Sequence, residues 1–198
     1  MDTIEICNQA IGWLGGNRIT SLDDGTTEAK LCKDNFTFIR DAVLEAMDWS
    51  FAKKQTRLTP LATAPDFRFD QQFLLPSDVL RIITAGAVED FSDWLEWERQ
   101  ADVVAADTDV LYLLYVARIT DTTRFPPSFT QALAQRIAAD LAVPLTENAG
   151  LSQRYWQLYE RKLAEAASND GMQGRQQKIK SGRLLNIRKF GPTYPQGL

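Results

Sequence analysis

The chain of 198 residues contains no histidine. This removes the commonest general base, the Ser-His and Cys-His nucleophile pairs, and every metal site built on imidazole. Cysteine is nearly absent too: Cys7 and Cys32 are too few and too far apart for a disulfide scaffold or a zinc ribbon. Each falls in an apolar helical stripe, so both are expected as small reduced core residues. No run approaches the roughly 18 consecutive apolar residues a membrane helix needs. The opening Met1-Asp2-Thr3-Ile4-Glu5 has neither the basic nor the apolar region of a signal peptide. No membrane partner is expected, and the protein is expected to stay where it is made. Acid is missing from one end: no Asp or Glu follows Asp170.

What is present is a globular composition, 44% hydrophobic and 24% charged, in a chain long enough to bury roughly 70% of its unfolded surface. The formal net charge of −4 conceals a split. Residues 1–170 carry 26 acids and 16 bases, net −10, whereas 171–198 carry Arg175, Lys178, Lys180, Arg183, Arg188 and Lys189 with no acid, net +6. An acidic body with a basic arm is a signature of binding.

Spacing supplies the elements. Thr3 as N-cap, then Ile4, Cys7, Ile11 and Leu14, predict a helix over 4–14 that Gly15-Gly16 ends. A second helix follows a Thr27 cap, with Ala29, Cys32, Phe36, Ile39, Val43 and Met47 on one stripe, Arg40 and Asp41 off it, and an end near Asp48-Trp49. From Phe51 to Ile119 the grammar becomes that of strands, expected at 67–75, 79–84, 94–98 and 110–119 in one mainly antiparallel sheet. The apolar run Val110–Val116 is expected centrally, and Pro76-Ser77-Asp78 predicts a hairpin or tight corner. Ser128 and Gln131 have capping-box spacing before a third helix carrying Leu133, Ile137 and Leu141, which Pro144 is expected to stop. A fourth, over 149–169, carries Leu151, Tyr155, Leu158, Tyr159, Leu163 and Ala166.

The pattern predicts an α+β fold: a four-helix bundle from 1–50 and 125–170, an inserted mainly antiparallel β subdomain over 51–124, and an extended basic C-terminal arm over 171–198.

Carboxylates are the only catalytic raw material, and each pair has a plainer reading. Asp23-Asp24-Gly25 and Asp107-Thr108-Asp109 are turn chemistry, Glu89-Asp90 offers nothing more, and Glu96 and Glu98 form the wet face of a strand. Gly12-Trp13-Leu14-Gly15-Gly16 closes a helix instead of opening one, the wrong polarity for a phosphate cradle. No catalytic, metal or cofactor residue is assigned, and no enzymatic activity is expected. Trp13, Trp49, Trp94, Trp97 and Trp156 are read as core or interface anchors. In the arm, Leu184, Leu185, Ile187 and Phe190 are interspersed with the bases. They favour a protein partner over the alternative, non-specific nucleic-acid binding by Lys178, Lys180, Arg183, Arg188 and Lys189.

Several stretches together resemble the tail tubular protein A family, the head-to-tail adaptors of short-tailed bacteriophages. They are Cys7-Asn8-Gln9-Ala10-Ile11-Gly12-Trp13-Leu14-Gly15, Ile19-Thr20-Ser21-Leu22-Asp23-Asp24-Gly25, Ala29-Lys30-Leu31-Cys32, Arg40-Asp41-Ala42-Val43-Leu44 and Trp49-Ser50-Phe51-Ala52. The match recurs at Leu75-Pro76-Ser77-Asp78-Val79-Leu80-Arg81-Ile82, Tyr115-Val116-Ala117-Arg118-Ile119-Thr120-Asp121, Phe125-Pro126-Pro127-Ser128-Phe129 and Ala132-Leu133-Ala134. Their order along residues 4–165 is the specific signal; the chain departs from the family at Arg99-Gln100, where a Glu-Gly turn is common. The resemblance implies a structural virion protein, a dodecameric ring joining the portal protein to a tail nozzle protein similar to tail tubular protein B. Genomic DNA would cross its channel during ejection without specific binding. It further implies assembly in the bacterial host cytoplasm and residence in the virion neck. The arm departs from the family, and its own bases and apolar residues carry its assignment to portal docking: Arg175, Lys178, Lys180, Arg183, Leu184, Leu185, Ile187, Arg188, Lys189 and Phe190.

Overall fold

Asp2, one residue before the expected cap, opens the first helix. In the computed structural model, which describes residues 1–172, the Asp2 carboxylate accepts from the Glu5 N–H at 2.7 Å and the Glu5 carboxylate accepts from the Asp2 N–H at 2.8 Å. This reciprocal box satisfies two donors that a helix start leaves open. The helix, α1 (Thr3–Leu14), ends at Gly15 with φ 77°, a left-handed geometry that costs glycine nothing. Asn8 then ties the returning chain to α1, its amide donating to the Ile19 carbonyl and accepting from the Ile19 N–H, each at 2.8 Å.

The second helix, α2 (Thr27–Glu45), is capped by Thr26, whose hydroxyl accepts from the Ala29 N–H. Ala29, Cys32, Phe36, Ile39 and Val43 are buried as their spacing predicts, and Cys7 and Cys32 are free, buried thiols. A hydrogen bond with Cys32, followed by burial, pushes the Cys7 thiol well above its ordinary value. The helix stops at Glu45, short of Trp49, because the chain doubles back: the buried Trp49 indole donates to the Val43 carbonyl at 2.9 Å.

Helix α3 (Pro127–Thr146) starts with Pro127, which needs no N–H there, and the Ser128–Gln131 capping box does not form. Nor does Pro144 stop it; the helix continues to Thr146, and Glu147 closes it in the left-handed region at φ 55°. With Leu133, Ala134, Ile137, Ala138 and Leu141 buried, α3 packs against α1, α2 and α4 (Ala149–Gly171). Its alanines let those helices approach closely.

The strand region holds two three-stranded antiparallel sheets where one was expected. The strands are β1 (Lys53–Leu58), β2 (Gln71–Leu74), β3 (Val79–Gly86), β4 (Trp97–Gln100), β5 (Val103–Ala106) and β6 (Leu111–Ala117), ordered β1-β6-β3 and β2-β5-β4. The apolar strand β6 is central, as its composition requires. Pro76-Ser77-Asp78 is a corner between sheets, since β2 and β3 belong to different ones. The expected 94–98 strand gives way to β4, joined to β5 through Ala101, which sits at φ 52°. One apolar core continues from the helices into both sheets. At their junction Trp49 meets Phe129 with ring centroids 5.0 Å apart, and Phe51 and Phe125 complete the cluster.

Polar ties cross the same junction. Arg118 Nε donates to Asp41 at 2.8 Å, and Arg81 reaches the Glu45 carbonyl and the Asp48 carboxylate. Within the sheet region, the Tyr115 hydroxyl donates to Asp78 at 3.2 Å. Burial, and then the Asp78 charge, push the Tyr115 hydroxyl up to about 12. A phenol whose folded value is raised contributes stability below its unfolded value of about 10 and loses it as pH rises toward the folded one. Stability should therefore fall between about pH 10 and pH 12 in denaturant titrations. Tyr115→Phe should cost about 1 kcal/mol at neutral pH and flatten that decline.

Candidate interaction surface

The arm residues assigned from the sequence to portal docking, Arg175 to Phe190, lie outside the described residues. The structure does fix the point from which they depart. The Asp170 carboxylate accepts from the Ser50 N–H at 2.7 Å and from the Ser50 hydroxyl at 2.6 Å, holding the end of α4 beside the start of β1. A cleft of about 310 Å³ opens there, lined by Met47, Asp48, Ser50, Lys53, Asp170 and Gly171. The last acid of the chain is thus a clamp at the junction of helices and sheet.

The tryptophans divide. Trp49 is part of the core, and Trp97 is half-buried against the edge of that core. Trp13 stacks on Tyr155 at the surface, and Trp156 lies under the Arg136 guanidinium, 4.2 Å from its ring centroid. Trp94 is 98% exposed, and Phe67, on a neighbouring loop, is 78% exposed. Aromatic residues are enriched at interfaces, where they serve as anchors.

Both rings sit on loops that are held in place. Residues 87–96 connect β3 to β4. Inside this loop the Asp93 carboxylate accepts from the Ala87 N–H at 2.7 Å and Asp90 accepts from the Ser92 N–H at 3.0 Å. Gly86 makes the Asp93 contact possible, because a Cβ there would stand 2.8 Å from Asp93 Oδ1. Arg68 then ties the second loop to the first, donating to Glu98 at 2.6 Å and Glu96 at 2.8 Å. The Phe67 loop is in turn bound to β2, where Leu61 N–H donates to the Gln72 carbonyl and the Gln72 amide to the Thr63 carbonyl. A cleft of about 530 Å³ is lined by Thr84, Phe91, Asp93, Trp94, Leu95 and Trp97.

The surface is acidic. Residues 86–98 contain Glu89, Asp90, Asp93, Glu96 and Glu98 and no Lys or Arg. Arg68 pairs with Glu96 and Glu98, and Arg57 borders a cleft with Glu89, so the five acids still outnumber the bases around them.

The other acidic groups weighed in the sequence have structural tasks. Asp24 accepts from the Thr20 and Ser21 N–H groups, which lower its carboxyl below the ordinary value. Asp23 pairs with Lys33, and Asp107 accepts from the Asp70 N–H. Among the described residues no group of three or more acids, cysteines or histidines is arranged to hold a metal ion, and no helix is long and apolar enough to cross a membrane. Compared with known proteins, the chain matches no family model and no curated protein.

Sequence reasoning missed the Phe67–Trp94 surface because it read 67–75 and 94–98 as strands. The available signal was local: Asp66-Phe67-Arg68 and Ser92-Asp93-Trp94 place aromatics among turn-forming and charged residues.

Proposed function

We propose that this chain is the subunit of a head-to-tail adaptor of a short-tailed phage, assembled as a ring between the portal protein and the tail nozzle, with a channel through which DNA passes. The observation that carries the reading is the order of motifs across residues 4–165, which resembles the tail tubular protein A family. The places where those motifs fall support it. Asn8 and Ile19 clamp the first turn, Trp49 closes α2, and Arg118 reaches Asp41 across the junction of helices and sheet. The motifs thus coincide with residues that lock the architecture, as expected of a shared fold. In the finer form of the reading the four helices make one bundle around α3, and 51–124 is a subdomain inserted into it. The net of −10 over residues 1–170 suits a channel wall that lets DNA slide. The basic residues of 171–198 dock the portal.

The test is to mix the purified full chain with portal assemblies and, separately, with duplex DNA, following mass and imaging the product. A ring seated on the portal, with no shift on DNA at near-physiological salt, is the expected result. A DNA shift without portal binding overturns the adaptor reading in favour of a nucleic-acid-binding protein.

A further inference from the structure

We infer that the acid-and-aromatic surface around Trp94 is the resting seat of this chain's own C-terminal segment, residues 173–198. The observations are chemical complementarity, reach and the way the loop is built.

Complementarity comes first. The surface offers two exposed rings, Trp94 and Phe67, on loops where acids outnumber bases. Residues 173–198 offer the converse, six bases with no acid, interspersed with Leu184, Leu185, Ile187 and Phe190. Arginine above an indole face and aliphatic side chains at its edge are favourable partners for a solvent-exposed tryptophan. A phosphate backbone, by contrast, would be repelled by the five carboxylates.

Reach is ample. Asp170 fixes the end of α4 at Ser50, next to Lys53. The loop's flank lies against the same strand further along, since Glu89 and Phe91 border a cleft with Gln55, Thr56 and Arg57. From Lys53 to Arg57 a strand advances only about 13 Å. Residues 173–182 alone can span about 33–36 Å when extended, more than twice that advance.

The build of the loop gives the third argument. Asp93 on Ala87, the close approach at Gly86, and Arg68 bridging Glu96 and Glu98 hold Trp94 outward before anything binds. A preorganised anchor needs little further ordering on contact. The inference goes beyond the adaptor reading: the docking segment would lie on its own body until the portal competes for it.

Hydroxyl-radical footprinting of the full chain, read residue by residue by mass spectrometry, tests this. Oxidation of Trp94 should be severalfold slower in the natural chain than in the full chain carrying Leu184→Asp and Ile187→Asp. Arg183→Gln with Arg188→Gln should recover part of that reactivity. The buried Trp49 must stay unreactive in all variants, which certifies that the body remains folded. Equal oxidation of Trp94 in the natural and the Asp-substituted chain overturns the inference. Protection that grows with protein concentration also overturns it, by making a second copy the cover. A chain that binds portal while Trp94 stays open loses this inference and keeps the adaptor reading; protection without portal binding does the reverse.

Discussion

Asp41→Ala is expected to lower the unfolding free energy by about 3 kcal/mol, the scale for breaking a buried ion pair. Arg40 presents its Nε and a terminal nitrogen to Asp41 Oδ1 at 2.9 and 2.7 Å, and Arg118 Nε meets Oδ2 at 2.8 Å. The three side chains are 7%, 19% and 42% exposed in the order Arg40, Asp41, Arg118. Removing the carboxylate strands the Arg40 guanidinium inside the protein without a counter-charge, and that stranded charge is the main cost. Arg118→Ala removes only the outer, solvent-screened half, and should cost about 1 kcal/mol or less. Urea unfolding of both variants decides: equal losses would mean that the cost arises from the tie to the sheet and not from the buried arginine.

That pair also shows where the sequence is legible. Arg40 and Asp41 fall off the α2 stripe, so periodicity assigns them to solvent, yet Arg40 is buried because β6 runs on to Arg118 and supplies the third member. The stripes themselves are legible: Cys7, Ile11 and Leu14 on α1, and Ala29 to Val43 on α2, are buried where a period of 3.6 puts them, although on α1 the expected Ile4 is half-buried and Ile6 takes the deeper place. Strand β6 announces itself by its apolar run. Strand β1, Lys-Lys-Gln-Thr-Arg-Leu, has no strand signature of its own and exists because β6 offers it an edge. The stretch Trp94 to Glu98 fails in the opposite sense. Its alternation mimics a strand, but Asp93 on Ala87 within the loop, and Arg68 reaching Glu96 from far along the chain, turn most of it into a loop. That alternation also masks the candidate surface, which only the turn-forming neighbours of Phe67 and Trp94 betray, whereas the basic charge of 171–198, a property of composition alone, is plain.

Replacing both Leu184 and Ile187 by Asp is expected to abolish attachment to portal assemblies while leaving the body folded. These residues lie between Arg183 and Arg188 in a stretch free of the glycine and proline found on either side. About five residues there can extend into a groove or along an edge of a partner. Burying one Leu or Ile side chain is worth roughly 1.5–3 kcal/mol, against about 0–1 kcal/mol for an exposed ion pair. Two lost anchors should therefore weaken attachment at least a hundredfold, about 3 kcal/mol or more. Replacing Lys178 and Lys180 by Gln removes only screened pairs, so attachment should weaken severalfold and depend less steeply on salt. Retention on immobilised portal at low and high salt separates the two contributions. If the Asp variant is retained while the Gln variant is lost, charge holds the segment and the apolar residues between its bases are incidental.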